Sequence, residues 1–480
     1  MEKGDIMLKP NFKEAKKRNK EDIKIIRDKY VIPKEVENIG LNKKYYIKTY
    51  GCQMNEHDSE MIAAILEDMK YKRTDDYLDA DIIILNTCAI RENAHNKTFG
   101  MLGRIKHLKQ TKKDLLVGLA GCMSQEESVV DEIIDKYKWM DFVFGTHNIY
   151  DLPNILKKHL EDKKLEVEVL SNEGNVIEGL PSKRDSKYKA WVNIMYGCDK
   201  FCTYCIVPYT RGKQRSRMPE DIIDEVKDLI KKGYKEVTLL GQNVNAYGKD
   251  FRNRDYKMED LLRDVAKTGI ERVRFVTSHP WDFTDNMIDV IAKYDNICNY
   301  IHLPVQSGSS RILKLMGRRY TKESYLELYN KIRNKIKGCS ITTDIIVGFP
   351  GETKEDFEET LDLVKTCKFD SAFTFIYSKR KGTPAALMED KVSKEEKEIH
   401  LHKLNDEVNK YAKIANDKLV GKTLPVLLES VSEKDKNMLA GYTDTMKLVN
   451  VKADKKYLGK IVNVKILEAK TWSLDGEIDE

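Results

Sequence analysis

The chain has 480 residues, 41% hydrophobic and 34% charged, with a formal net charge of +6 at pH 7. That length exceeds one ordinary core, so roughly two to four domains are expected. No window approaches the ~18 consecutive apolar residues of a membrane span, and the charged start has no apolar signal core, so a cytoplasmic protein with no membrane partner is expected. The charge is compatible with a nucleic-acid partner but falls short of a strongly basic footprint. In a reducing compartment the nine cysteines are more often metal ligands or reactive groups than structural disulfides.

Residues 1–43 read as a charged, partly helical N-terminal extension broken at Pro33, a solvated face with no assigned role. Over 44–161 one unit recurs three times, in KYYIKTYGCQMNEHDSEMIAAILEDM, ADIIILNTCAIRENAHNKTFGMLGRI and DLLVGLAGCMSQEESVVDEII. Each is an apolar run, then a cysteine, then a helix pattern, which predicts βαβ units on a parallel sheet. MDFVFGT and the helix from Leu152 complete a small doubly wound domain. Cys52, Cys88 and Cys122 all fall where a strand gives way to a helix, at intervals of 36 and 34 residues. That carboxyl edge is where open α/β sheets bind ligands, and a helix start favours thiolate over thiol. The alternative is three buried free thiols.

Residues 162–188, with Gly174, Gly179 and Pro181, read as a connector. Over 189–415 six strand candidates (AWVNIMY, EVTLLGQ, RVRFVTS, NYIHLPV, ITTDIIVGF and SAFTFIYS) alternate with helices. This suits a partial (β/α)6 barrel of the TIM kind, whose strand ends carry the site. The clearest helix opens at MPEDIIDEVKDLIKKG, with Pro219 first, acids next and Gly233 last. Residues 416–480 read as a small all-β module with 11 Lys, no Arg and 11 acids.

GCDKFCTYC places Cys198, Cys202 and Cys205 at C-x3-C-x2-C, and the next cysteine is Cys298. Structural zinc sites and ordinary iron–sulfur clusters take four protein ligands. Three thiolates therefore imply a distant fourth ligand or a position left open for a small molecule.

At the end of a first barrel strand, this loop resembles the radical S-adenosylmethionine (SAM) superfamily. TYGCQMNEHDSE, ILNTCAIREN, AGCMSQ, YGCDKFCTYCIVPYTRGKQRSR, GQNVNAYG, SHP, HLPVQSGS, MGRRYT, DIIVGFPGET and SKRKGTPA together are similar to the tRNA-modifying branch of the methylthiotransferases. The resemblance implies a methylthiotransferase N-terminal domain, a radical SAM barrel and a C-terminal TRAM module that binds RNA. It implies two 4Fe–4S clusters. Cys198, Cys202 and Cys205 would hold the one that binds SAM, and Cys52, Cys88 and Cys122 an auxiliary one. Tyr204, Gln242, Asn243, Ser278 and Gln306 are the implied SAM contacts. The implied reaction methylates a sulfur on the auxiliary cluster with one SAM. Radical cleavage of a second SAM then installs the methylthio group at C2 of an N6-dimethylallyl adenosine next to the tRNA anticodon. A flavodoxin or ferredoxin would supply electrons to a monomeric enzyme.

Such a C–H bond offers no acid–base handle, and no general-base constellation is read in the sequence. Other targets are a threonylcarbamoyl adenosine in tRNA or a ribosomal-protein aspartate, although QMNEHDSE after Cys52 resembles the dimethylallyl branch. An alternative of another class is a zinc-stabilised RNA-binding protein. His279 and His302 are either site residues or packed ones, the basic residues of YTRGKQRSR are expected to reach RNA or SAM carboxylate, and Cys298, Cys339 and Cys367 are expected to be buried thiols.

Overall fold

The computed structural model describes residues 7–16, 24–89, 92–171, 175–433 and 435–479. The chain divides into two compact units: residues 1–185 with 195–201 and 205–217, and residues 186–194 with 202–204 and 218–480. Among the described residues no helix is long and apolar enough to cross a membrane.

In the first unit β1 (Lys44–Tyr50), α1 (Gln53–Asp68), β2 (Lys72–Arg73), β3 (Ile82–Thr87), α2 (Glu92–Thr111), β4 (Leu116–Ala120), α3 (Glu127–Lys136), β5 (Phe142–Phe144), α4 (Leu152–Asp162) and β6 (Glu166–Glu168) follow in order. Their six strands pair in parallel in the order β2–β1–β3–β4–β5–β6. Central β3, IIILNT, is buried at every position, as a parallel strand covered on both faces must be.

Side-chain alternation sorts the helices onto two faces. Ile82, Ile84, Phe142 and Phe144 pack with Ile62 and Ile65 of α1 and Ile155 and Leu156 of α4. Ile83, Leu85, Val117 and Val143 pack instead with Leu102 of α2 and Val130 and Ile133 of α3. Each fully buried aliphatic side chain contributes roughly 1.5–3 kcal/mol. The sheet is thus doubly wound, with two edge strands more than the sequence suggests. Those strands are KR and EVE, too short and polar to read.

Parts of the charged extension are docked within this unit. Leu8 bridges to the β6 edge through Val167 and Val169, and Ile25–Ile26 pairs in parallel with Val176–Ile177. Lys17–Ile23 of the extension and Gly174 of the connector lie outside the described residues.

The second unit contains β7 (Lys189–Asn193), α5 (Pro219–Lys231), β8 (Glu236–Leu240), α6 (Met258–Ala266), β9 (Arg272–Phe275), α7 (Asp285–Lys293), β10 (Tyr300–His302), α8 (Lys322–Lys335), β11 (Ser340–Val347), α9 (Lys354–Cys367), β12 (Ser371–Ile376) and α10 (Lys394–Asp417). The strands run parallel in sequence order, in two triplets joined by a bridge between Val273 and Ile297. No pairing joins β12 back to β7 among the described residues, so the barrel is open. Each strand coincides with one of the six apolar runs.

Strands β13 (Thr423–Val431), β14 (Leu439–Thr443), β15 (Leu448–Val451), β16 (Ile461–Ala469) and β17 (Leu474–Ile478) close into a small barrel of order β13–β14–β15–β17–β16. Val426, Leu428, Val449, Val464 and Leu474 fill it. This module caps the amino ends of the large barrel's strands. Arg272 donates to the Tyr442 and Pro425 carbonyls, both at 2.8 Å, and Arg274 to those of Thr443 and Asp444 at 3.2 and 2.8 Å. Lys189 pairs with Glu429 at 2.8 Å, and Glu236 neutralises Arg274 at 3.0 Å. The cap lies at the end opposite the strand carboxyl ends.

Candidate active site: two cysteine triads and the barrel strand ends

In the first unit the sheet brings Cys52, Cys88 and Cys122 to its carboxyl edge. Cys52 is the residue before α1, Cys88 follows β3 directly, and Cys122 opens a 3-10 turn (Cys122–Gln125) after Gly121. The Cys88 amide donates to the Tyr50 carbonyl at 2.8 Å, which ties the first two junctions together.

A polar brace lies beneath them. Asn55 Nδ2 donates to Asn86 Oδ1 at 3.1 Å, and Asn86 Nδ2 donates back to the Asn55 carbonyl and to Ser59 Oγ at 2.8 and 2.9 Å. Two glycines make the close packing possible. A Cβ on Gly51 would lie 2.5 Å from Asn55 Oδ1, and one on Gly121, at φ +94°, would lie 2.3 Å from Asn86 Oδ1.

The electrostatics of this edge favour the thiolate at Cys52. The Cys88 thiol donates a hydrogen bond to Cys52, and with the Arg211 cation nearby it holds the Cys52 thiol well below its ordinary range. Burial pushes Cys122 up, while the Arg211 cation opposes it. Arg211 Nε lies 3.1 Å from Cys122 Sγ, and its other nitrogens reach Asp58 at 3.3 and 2.5 Å. Arg211 and Asp58 are both buried, so Asp58 fixes the guanidinium and balances it. Three soft sulfur donors beside a cation suit an anionic iron–sulfur cluster.

Sequence reading missed Arg211. It expected the basic residues of YTRGKQRSR to reach phosphate or SAM carboxylate, yet Arg211 turns inward to the triad and Arg217 pairs with buried Glu178 at 2.7 Å. Arg211 and Asp58 are 153 positions apart, and no local pattern links them.

The second triad belongs to one loop. Cys198 follows Gly197, whose φ is +71° and whose Cβ, if it had one, would lie 2.0 Å from the Lys213 carbonyl. The Cys198 amide donates to the Gly212 carbonyl at 3.2 Å. Met195–Tyr196 pairs antiparallel with Arg215–Ser216 and closes this part of the chain. After Cys205, a helical turn (Val207–Thr210) places Tyr209 edge-on to Phe12 at 5.5 Å and to Phe201 at 6.1 Å.

In the second unit Cys202 is buried, with Arg318 Nη1 3.7 Å from its sulfur. Thr203 is fixed by its amide to the Met316 carbonyl and its hydroxyl to that of Leu315, at 2.9 and 2.8 Å. Tyr204 packs edge-on against Phe349 at 6.5 Å, in a cluster with Ile312, Met316 and Tyr377. No three His, Cys, Asp or Glu side chains among the described residues are grouped as a single metal ion requires.

The remaining candidates cluster at the barrel's strand carboxyl ends. Gln242 and Asn243 follow β8, and Asn243 Nδ2 donates to Asp282 at 2.7 Å while its buried Oδ1 accepts nothing. Ser278 follows β9, and its buried hydroxyl makes no hydrogen bond. Gln306 has φ +73°, an uncommon conformation for a side-chain-bearing residue. Its amide donates to the Asp344 carbonyl and its carbonyl accepts from Ile346, at 2.8 and 2.9 Å. Unmatched polar atoms at strand ends mark places where a ligand's polar groups can bind.

His302 is held by Thr342 at 2.9 Å and Asp344 at 3.4 Å, and His279 accepts from the Trp281 amide at 3.3 Å. Cys298, Cys339 and Cys367 are buried, and burial raises each thiol to about 12. They are structural.

Three family models match: the Radical SAM superfamily over residues 192–364, Uncharacterized protein family UPF0004 over 44–145 and the TRAM domain over 417–478. The tRNA-2-methylthio-N(6)-dimethylallyladenosine synthase of Bacillus cytotoxicus is 58% identical, covering 98% of this chain and 92% of its own. That of Staphylococcus aureus is 56% identical, with coverage of 97% and 91%. Among solved structures, the radical SAM methyltransferase TsrM from Kitasatospora setae is similar in fold, with TM-score 0.52, 14% identity and coverage of 72% and 75%. With more than half its residues identical to those of such relatives over nearly its whole length, the chain belongs to the tRNA-2-methylthio-N(6)-dimethylallyladenosine synthase family of radical SAM proteins.

Proposed function

We propose that this chain transfers a methylthio group to C2 of an N6-dimethylallyl adenosine beside the tRNA anticodon, in a SAM-dependent reaction. The observation that carries this reading is the pair of three-cysteine sites in a chain 58% identical to an enzyme named for that product.

Cys198, Cys202 and Cys205 would hold one 4Fe–4S cluster with a position left for SAM, and Cys52, Cys88 and Cys122 the auxiliary one. When bound, these groups supply the one-electron and sulfur chemistry that an aromatic C–H bond requires. The protein's part is placement and exclusion of water. Thr203 and Tyr204 anchor the loop around Cys202, and Gln242, Asn243, Ser278 and Gln306 would hold SAM, Asn243 and Ser278 through their unmatched polar atoms. The cation of Arg211 balances anionic sulfur at the auxiliary site. An external flavodoxin or ferredoxin reduces the enzyme, which acts as a monomer. The TRAM module contributes to holding tRNA.

Nucleoside mass spectrometry tests the reading. Anaerobically reconstituted protein, SAM, a reductant and tRNA bearing dimethylallyl adenosine are expected to yield methylthio-dimethylallyl adenosine. Formation of 5′-deoxyadenosine without that product would move the target to another RNA or a ribosomal protein.

A further inference from the structure

Two phenylalanines of the open barrel are out of place for a core strand. Phe373 and Phe375 on β12 are 54% and 40% exposed, whereas Phe275, Phe349, Phe357 and Phe369 of the same unit are at most 1% exposed. Their neighbour Thr374 points the other way and donates to Asn405 of α10 at 2.5 Å. The helix therefore covers one face of β12, and Phe373 and Phe375 stand on the opposite face, toward the barrel interior.

The register places Phe373 beside Asp344 and Phe375 beside Ile346. His302, fixed by Thr342 and Asp344, meets Phe373 edge-on at 6.0 Å and holds that ring in place. Ile346 packs against the same cluster as Tyr204, the residue before Cys205. The aromatic stripe thus adjoins the cluster that holds Tyr204. Beyond the strand comes SKRK, in which Lys379 and Lys381 are exposed. The turn they sit on is set by buried Thr383, which donates its amide and hydroxyl to the Arg380 carbonyl at 3.1 and 2.7 Å. Two aromatic faces followed by cations fit a nucleotide: a base stacks on the rings and phosphates meet the lysines.

We propose that Phe373 and Phe375 are the wall on which the target adenosine lies, with Phe375 contacting its apolar N6 substituent and Lys379 and Lys381 its flanking phosphates. The assignment rests on the functional reading above and adds the basis of substrate choice. An unmodified adenosine forfeits the contact with Phe375. A threonylcarbamoyl adenosine brings a carboxylate against that ring, where desolvation disfavours it.

The test measures binding, by fluorescence anisotropy, of three anticodon stem-loops differing only in the N6 group: hydrogen, dimethylallyl or threonylcarbamoyl. Wild-type full-length protein is expected to prefer the dimethylallyl loop, and Phe375→Ala to cut that preference, read as the ratio of dimethylallyl to unmodified loop affinity, about tenfold. Phe375→Leu should retain most of it. Phe373→Ala should weaken all three loops, and Lys379→Ala with Lys381→Ala should weaken them equally and flatten the salt dependence. An undiminished preference in both Phe375→Ala and the Phe373→Ala, Phe375→Ala double variant overturns the proposal. So does a wild-type protein that makes the methylthio product yet binds all loops alike. Absence of product from wild type on any loop counts against the functional reading instead.

Discussion

The two cysteine triads are assembled in opposite ways. Cys52, Cys88 and Cys122 come from three strand ends spread over the first unit, and the parallel sheet sets their spacing. Cys198, Cys202 and Cys205 come from one nine-residue stretch, GCDKFCTYC, whose spacing is written in the chain itself. The first arrangement depends on long-range packing: the Asn55–Asn86 brace, the two close-packed glycines and the buried Arg211–Asp58 pair. The second takes its spacing from local backbone, with Gly197 in a left-handed turn, and has a distant tie in Thr203, whose two hydrogen bonds go to Leu315 and Met316. Damage to the fold should therefore reach the sheet-built site first, and damage to the loop should stay local.

The largest expected effect comes from Cys198→Ala, which should abolish both SAM cleavage and product, read as 5′-deoxyadenosine by chromatography. Surviving 5′-deoxyadenosine would break the comparison at its loop side. Cys88→Ala should remove methylthio product while SAM cleavage continues, because that thiol belongs to the sheet-built triad. Product from that variant would show the auxiliary site to be misassigned.

Arg211→Gln leaves Asp58 charged and buried without its partner. A loss of about 3–5 kcal/mol in urea unfolding is expected, with the Asp58→Asn, Arg211→Gln double variant recovering most of it. Equal stability of single and double variants would mean that the pair does not act as one unit. Smallest is Gly121→Ala, which forces a side chain into a left-handed turn 2.3 Å from Asn86 Oδ1. It should cost about 1–3 kcal/mol and lower iron bound in the first unit, and an unchanged melting temperature would contradict it.

Legibility in the sequence follows the same division. Cys198, Cys202 and Cys205 were plain because a short spacing is a local signal, and the six barrel strands were plain because each is a continuous apolar run. The cysteines of the first unit were legible through a repeat, since each marks one strand-to-helix junction. What surrounds them was not. An arginine in a polar loop reads as a phosphate contact, and only the fold turns Arg211 inward toward Asp58 and Cys122. Edge strands Lys72–Arg73 and Glu166–Glu168 carry no apolar run to reveal them. The charged extension reads as solvated, although Leu8 pairs with the sheet edge and Ala15 is buried. Inward-facing Phe373 and Phe375 looked like ordinary strand hydrophobics until their exposure was known.

The most direct test of two separate cluster sites is iron and acid-labile sulfide per chain in wild type, in Cys88→Ala, and in Cys198→Ala with Cys202→Ala and Cys205→Ala. About eight irons with matching sulfide are expected in wild type and about four in each variant. Loss of nearly all iron from either variant, or zinc without sulfide in wild type, would contradict the account.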